Sequence, residues 1–109
     1  MQNIHGETVR AALNFGANGD NIIVPAVTLG EIFVHEIVGD ASAVVTMTVK
    51  AGARVLGIFN LAADQGITLT DIPSMGGEPR FKCFQGEAFI LSLSGAVPFQ
   101  GSISYSFKM

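Results

Sequence analysis

Histidine, cysteine and carboxylate side chains are the groups in this sequence that could carry chemistry. The chain has 109 residues, with histidines at His5 and His35, one cysteine at Cys83 and nine acidic residues. Acid–base catalysis and metal binding both require several such groups within reach of one another. His35 and Glu36 are sequence neighbours, but their side chains point to opposite faces if this segment is a strand. Neither an HxH nor an HExxH spacing occurs, so we expect no metal and no cofactor, and we expect His35 to be a buried or interface residue.

Cysteine, serine and glycine patterns also favour a structural interpretation. Cys83 is the only cysteine, which excludes an intrachain disulfide and an all-cysteine metal site. On a strand Lys82 would point away from Cys83, so we expect a small buried thiol without reactivity. No GxGxxG, phosphate-loop, GxSxG or calcium-loop pattern is present. A sugar-cleaving cleft is disfavoured because the chain has no tryptophan and one tyrosine. We therefore expect no catalytic residue and a protein that is not an enzyme.

The composition narrows the range of partners. The formal net charge is −3 and the six basic residues are scattered along the chain, which argues against nucleic acid as a partner. No apolar run reaches the roughly 20 residues that span a bilayer, and the amino terminus lacks the pattern of a secretory signal, so we expect no membrane association and synthesis in the cytoplasm. The chain is 49% hydrophobic and 14% charged, against an average charged content of about 25%. This excess predicts that part of the apolar surface meets another protein chain.

The elements that must position these residues are strands. Apolar and polar residues alternate almost everywhere, and glycine, proline, asparagine and aspartate interrupt the alternation at short intervals. This pattern predicts one all-β domain over residues 1–109, a compact antiparallel β-sandwich of the jelly-roll or a related Greek-key type. Residues 1–18 are expected to form a partly flexible amino-terminal arm that becomes ordered on a larger assembly. The predicted strands are 8–14, 20–27, 31–39, 43–50, 53–60, 66–71, 79–84, 87–94 and 100–107.

Two places in this pattern are candidates for contact with a partner. The strand at 31–39 carries apolar residues on both faces, as in a central strand or one that packs on a second subunit. We predict a subunit interface there, formed by Phe33, His35 and Ile37. The loop between Pro73 and Pro79, with Met75 at its tip, and Phe99, next to a predicted turn, are candidate exposed contacts. Phe81 and Phe84 are separated by an odd number of residues, so one of them is expected to point outward.

Several segments of the chain resemble a known class of proteins. The run from Gly86 to Ser94 is followed by Ala96-Val97 and by Gly101 to Tyr105, and upstream stand Gly19 to Val27, Glu31 to Val38 and Leu61-Ala62-Ala63. This cadence of turn glycines and strand hydrophobes is similar to that of small all-β structural proteins of tailed bacteriophages. The resemblance covers roughly residues 19 to 107. It implies a capsid cement or decoration protein, or a fibre module, and such proteins commonly assemble as trimers.

The resemblance and the composition together predict a role in virus structure. We expect a cement or decoration protein that forms a homotrimer, binds the major capsid protein and stabilises the phage head, so that it resides on the capsid surface of the virion. The alternative is a fibre or baseplate module that recognises a host surface glycan or protein. A small enzyme of the cupin type would need a histidine cluster, which this sequence lacks.

Overall fold

The architecture is a β-sandwich of nine strands. A computed structural model describes residues 8–71 and 79–108, and within them every helix or strand element is a strand. The strands are β1 (Val9–Phe15), β2 (Gly19–Val24), β3 (Glu31–Ala41), β4 (Val45–Ala51), β5 (Arg54–Leu61), β6 (Gly66–Leu69), β7 (Phe81–Cys83), β8 (Phe89–Leu93) and β9 (Phe99–Lys108). Each lies within three residues of a predicted strand. The predicted all-β sandwich is confirmed.

The strand order is that of a jelly roll. The first sheet has the order β1-β9-β3-β6, with β7 also paired to β3, and the second sheet has the order β2-β8-β4-β5. All pairs between strands are antiparallel. The chain therefore folds back on itself as one long antiparallel hairpin whose closed end is the pair of β4 and β5. Moving away from that end, β3 pairs with β6 and β7, β2 pairs with β8, and β1 pairs with β9. Such a ribbon, rolled across two sheets, is the jelly-roll arrangement.

The core lies between the sheets and follows the alternation of the strands. In β4 and β8 every second residue is an apolar side chain facing the opposite sheet, as Val45, Met47 and Val49 illustrate. Phe99 belongs to this core. It opens β9 opposite Phe15 of β1, its ring centroid lies 5.3 Å from that of Phe15, and it has no exposed surface. The prediction that Phe99 is an exposed contact is wrong, because its register in β9 turns it inward.

The first described residues of the chain also belong to the sheet. β1 pairs with β9 along its whole length, from Val9 opposite Tyr105 to Phe15 opposite Phe99. Ala11, Leu13 and Phe15 contribute to the core. The expectation of an arm that orders only on an assembly is therefore wrong for residues 9–15, and residues 1–7 lie outside the described part of the chain.

A β-bulge in β3 changes which residues share a face. The register between β3 and β9 shifts between Val34 and Glu36, so His35 is an extra residue in the strand. Phe33 is buried on the outer side of the sheet, whereas Ile37, beyond the bulge, is buried in the core. The prediction that Phe33, His35 and Ile37 form a subunit interface is thus wrong for Ile37, which is enclosed within this molecule.

Of the two interpretations of this strand, a central position or packing on a second subunit, the structure shows the central position. β3 lies between β9 on one side and β6 and β7 on the other, which explains its apolar residues on both faces. The predicted contact residue Met75 lies outside the described residues.

Candidate functional site

A pocket lies at the margin of the sandwich, between an edge strand of one sheet and an edge strand of the other. β5 is the last strand of the second sheet, and the short strand β7 lies at the edge of the first. The rings of Phe59 on β5 and Phe81 on β7 meet edge to face, with centroids 6.5 Å apart. The pocket that they border has a volume of about 480 Å³. Its lining combines three basic and four apolar residues: Arg54, Arg80, Lys82, Leu56, Phe59, Phe81 and Phe84.

Arg54 is held in a fixed position in this pocket. Its Nε and Nη2 atoms donate to the two carboxylate oxygens of Glu87, each at 2.8 Å, and Nη2 also lies 3.3 Å from the Lys82 carbonyl oxygen. The guanidinium lies over the ring of Phe84, 4.3 Å from its centroid. The hydrogen bonds from Arg54 lower the pKa of Glu87, and Glu87 in turn raises the pKa of Arg54. A bidentate ion pair of this kind restricts the conformations of both side chains.

The turn between β7 and β8 presents Phe84 to solvent. Oε1 of Glu87 accepts a hydrogen bond of 2.7 Å from the Phe84 backbone, and the Glu87 amide donates to the Phe84 carbonyl at 3.0 Å. Gly86 allows this tight turn because its φ of 83° is costly for other residues. Phe84 is 49% exposed while Phe81 is buried, which confirms that one of the two points outward.

Two basic residues of the pocket lining have no carboxylate partner among the described residues. Arg80 lies over the Phe81 ring at 5.7 Å and Lys82 lies 5.4 Å from the Phe33 centroid. Neither of them forms a salt bridge with any described residue. Arg54 is neutralised by Glu87, and the Lys82 amine lies over Phe33 on the outer side of the first sheet, so the excess positive charge beside the Phe81 ring comes from Arg80. The pocket is thus locally positive on a protein whose net charge is −3.

Cys83 lies next to this pocket but faces the core. The thiol is fully buried, and desolvation, followed by the nearby Glu87 carboxylate, raises its pKa to about 12. A buried thiol with a raised pKa is a poor nucleophile at neutral pH. The prediction of a small, buried and unreactive cysteine agrees with this placement.

His35 takes part in a hydrogen-bonded chain that the sequence did not reveal. Its Nδ1 lies 3.1 Å from Oδ1 of Asp71, and its Nε2 lies 2.8 Å from Oγ of Ser106. The order of the groups is that of a serine hydrolase triad. Ser106, however, is 1% exposed, so its hydroxyl cannot meet a substrate carbonyl in this conformation. These hydrogen bonds instead satisfy the buried polar side chains at the bulge of β3.

A broad face of the sandwich carries exposed apolar side chains. On the outer side of the second sheet, Ile22 pairs with Ile90, Ile90 with Lys50, and Lys50 with Val55, so one row crosses all four strands. Ile58 lies in the next row, opposite Thr48. The exposed fractions are 65% for Ile22, 58% for Val55 and 64% for Ile58. We call these residues, Ile22, Ile90, Lys50, Val55, Thr48 and Ile58, the apolar face.

Polar side chains on the apolar face and beside it are hydrogen-bonded in pairs. Lys50 Nζ lies 3.1 Å from both carboxylate oxygens of Asp20. Thr46 donates to the side-chain oxygen of Asn60 at 2.9 Å. The face is therefore close to neutral in charge, and a second protein could cover it without burying an unpaired ion.

The described residues contain neither a metal-binding cluster nor a membrane-spanning helix. No three His, Cys, Asp and Glu side chains among residues 8–71 and 79–108 gather closely enough to hold a metal ion. The same residues include no helix that is long and apolar enough to span a membrane.

Comparison with known proteins identifies no family. The sequence matches no protein-family model, and no curated protein matches it. The crystal structure of a protein named PirA is weakly similar, with a TM-score of 0.43 and 14% sequence identity over 96% of this chain and 99% of that chain. At this TM-score the likeness supports no statement about fold or function.

Most of the candidate site could not be predicted from the sequence. Arg54 is distant in sequence from Arg80 and Lys82, and none of the three belongs to a recognisable motif. Only the jelly-roll pairing brings β5 beside β7. The one available signal was the odd spacing of Phe81 and Phe84, which places an aromatic ring outside the core.

Proposed function

We propose that this protein is a non-enzymatic structural protein of a phage virion, most specifically a cement or decoration subunit. In this proposal it forms a homotrimer through its apolar face, binds the major capsid protein and stabilises the head. The observation that carries the proposal is the apolar face itself. Three large aliphatic residues on it are more than half exposed. Two of them, Val55 and Ile58, lie together on the edge strand β5, and exposed apolar side chains on an edge strand favour contact with another protein.

The charge of the apolar face favours another copy of this chain as its occupant. Because Lys50 is paired with Asp20, a neighbouring copy meets neither strong repulsion nor an unpaired charge there. The jelly roll is also an architecture that viral capsid proteins use. Each 100 Å² of apolar area covered on assembly would contribute about 2.5 kcal/mol before the costs of association.

Sedimentation of two matched variants tests the assembly. Ile58→Asp places a charge on the apolar face, whereas Val44→Asp places one at an equally open position in the turn before β4, where Val44 is 77% exposed. We expect the parent and Val44→Asp to sediment as trimers and Ile58→Asp as a folded monomer. Monomeric parent protein at tens of micromolar, or trimeric Ile58→Asp, would contradict the proposal.

The location on the virion has its own test. A tagged copy, detected by electron microscopy on intact particles, should label the faces of the head. Labelling confined to the tail or baseplate would reject the cement role and favour the alternative.

The alternative is a fibre or baseplate module that recognises a host surface glycan or protein. The pocket at the sandwich edge favours it, because concave sites with aromatic walls and a few fixed polar groups are typical of ligand recognition. A glycan array without hits, together with labelling on the capsid, would remove this candidate.

A further inference from the structure

We propose that Asn18 is a site of spontaneous deamidation and that the side chain of Asn21 restrains the rate. The inference goes beyond an assembly role, because the reaction needs only this chain and water. In the reaction the backbone nitrogen of Gly19 bonds to the side-chain carbonyl carbon of Asn18. The side-chain amide group then leaves as ammonia, with the proton that the Gly19 nitrogen gives up. Water opens the resulting cyclic imide to aspartate or to isoaspartate.

The residue that follows Asn18 distinguishes it from the other asparagines. A glycine follows Asn18, whereas isoleucine, phenylalanine or leucine follows each of the other four, Asn3, Asn14, Asn21 and Asn60. A large side chain at the next position shields the backbone nitrogen that must attack, and glycine, which has no β-carbon, leaves that nitrogen open. The sequence therefore favours Asn18 as the asparagine that reacts first.

The side chain of Asn18 is accessible to water and free to rotate. Asn18 lies in the turn between β1 and β2, which carries the chain from the first sheet to the second. It is exposed, and its side chain forms no hydrogen bond with another residue of 8–71 or 79–108. Asn60 is also exposed, but it lies within β5 and its side-chain oxygen accepts a hydrogen bond from Thr46. Exposure and freedom therefore coincide at Asn18.

The backbone of this turn requires the glycine that makes Asn18 susceptible. Gly19 has a φ of 92°, a conformation that residues with a β-carbon rarely adopt. A β-carbon at Gly19 would meet no other atom within 4 Å, so the requirement comes from the backbone angle and not from crowding. The same open space leaves the Asn18–Gly19 peptide bond unshielded.

Asn21 holds the peptide groups on both sides of the reacting pair. Its Nδ2 lies 3.0 Å from the carbonyl oxygen of Ala17 and 3.2 Å from that of Gly19. The same nitrogen lies 3.3 Å from the carbonyl oxygen of Leu91 on β8, which fastens the turn to the second sheet. Closure of the imide ring requires rotation of the backbone at Asn18, and these contacts oppose that rotation. The folded turn should therefore react more slowly than the unfolded chain.

Incubation of the full chain at mildly alkaline pH and raised temperature tests the site. Alkali promotes loss of the proton from the attacking nitrogen, and asparagine is among the thermolabile residues. Peptide mapping by mass spectrometry follows conversion at every asparagine and separates aspartate from isoaspartate. We expect Asn18 to be converted before any other asparagine, and several-fold more slowly in the folded protein than in urea.

Two matched variants assign the product to this residue. Asn18→Gln should abolish the first acidic species on ion exchange, because glutamine would have to close a larger ring. Asn14→Gln alters an asparagine that is also exposed but lies within β1, and it should leave that species unchanged.

The variant Asn21→Ala tests the restraint. Loss of its amide should raise the rate of conversion at Asn18 several-fold, toward the rate in urea. Ser106→Ala is the control for a general loss of stability, because it removes a buried hydrogen bond near the opposite end of β9 from the turn. It should leave the rate at Asn18 as in the parent protein.

Separate results would overturn the two parts of the inference. Earlier conversion of another asparagine, no conversion of Asn18 in the folded protein, or persistence of the acidic species in Asn18→Gln would reject the site. Equal rates in the parent and Asn21→Ala, or an equal acceleration by Ser106→Ala, would reject the restraint. The assembly role is decided independently, by the sedimentation of Ile58→Asp.

Discussion

Phe33 and Ile37 lie on opposite faces of β3, although an unbroken strand would place them on the same face. The bulge at His35 inserts one residue into the strand, so the alternation changes phase between Val34 and Glu36. Phe33 is buried on the outer side of the first sheet, where the amines of Lys82 and Lys108 lie 5.4 and 5.9 Å from its ring centroid. Ile37 packs in the core, opposite Leu69 and Ile103.

Substitution of Ile37 should therefore lower the stability of the fold and not disrupt a subunit interface directly. Truncation to Ile37→Ala removes buried methyl groups and leaves a cavity, so we expect a loss of about 2–5 kcal/mol in the free energy of unfolding. Val38→Ala is the control, since Val38 is exposed on the other face of the same strand and should change stability by less than about 1 kcal/mol. Urea unfolding of both variants measures the difference. Equal free energies of unfolding in the two variants would contradict the change of face that the bulge produces.

The positions of the strands could be predicted because their causes are local. Alternation such as Val45 to Val49 marks a half-buried strand wherever it occurs, and the turn at Gly86 needs a residue that tolerates positive φ. The choice of the jelly roll over another Greek-key sandwich depends on pairings such as β1 with β9, which join the two ends of the described chain. No local pattern contains that information.

The functional residues were less predictable for the same reason. The burial of Phe99 depends on its register opposite Phe15, and the bulge at His35 leaves no mark in the sequence. The contact of Arg54 with Glu87 joins the start of β5 to the turn before β8. Distant residues of this kind become neighbours only after the ribbon has rolled into two sheets.

Ser106 should support stability and not catalysis. Its hydroxyl is hydrogen-bonded to His35 and buried, so Ser106→Ala should lower the free energy of unfolding by about 1 kcal/mol. A fluorophosphonate probe, which labels activated serines, should leave the native protein unmodified. The control is Ser104→Ala, because Ser104 is also buried on β9 but forms no side-chain hydrogen bond with the described residues. Labelling of Ser106 at neutral pH would instead reveal an active triad.

Cys83 should resist thiol reagents while the protein is folded. Burial raises its pKa to about 12, so almost no reactive thiolate exists at neutral pH, and the sulfur is also inaccessible. We expect the reaction with Ellman's reagent to be at least about a hundredfold slower in the native protein than in denaturant. A comparable rate in both conditions would show that the core around β7 opens readily.

The pair of Arg54 and Glu87 should make stability depend on pH. The folded pKa of Glu87 is lowered, chiefly by its hydrogen bonds from Arg54, from an ordinary value of 4.5. The stabilisation is therefore complete above pH 4.5 and is lost as the pH falls through the folded pKa. We expect Glu87→Gln to lower the melting temperature at neutral pH and to approach the parent protein in acid.

A double-mutant cycle assigns this effect to the pair. In the background of Arg54→Gln, the further change Glu87→Gln should produce little additional pH dependence, because the partner that lowers the pKa is already absent. An undiminished effect of Glu87→Gln in that background would assign it to the hydrogen bond from the Phe84 amide.

Gly101 should be among the least replaceable residues of the sandwich. It lies opposite Gly39 where β9 crosses β3, and a β-carbon at Gly101 would overlap the carbonyl oxygen of Val38 and lie 2.6 Å from the Gly39 α-carbon. Both neighbours are backbone atoms and cannot rotate away, so Gly101→Ala should cost about 3 kcal/mol or more, or prevent folding. Gly95→Ala is the control, since a β-carbon there meets nothing within 4 Å, and it should stay within about 1 kcal/mol of the parent. Thermal unfolding of the two variants compares them directly, and a Gly101→Ala protein as stable as Gly95→Ala would mean that β3 and β9 do not approach each other as closely as the pairing requires.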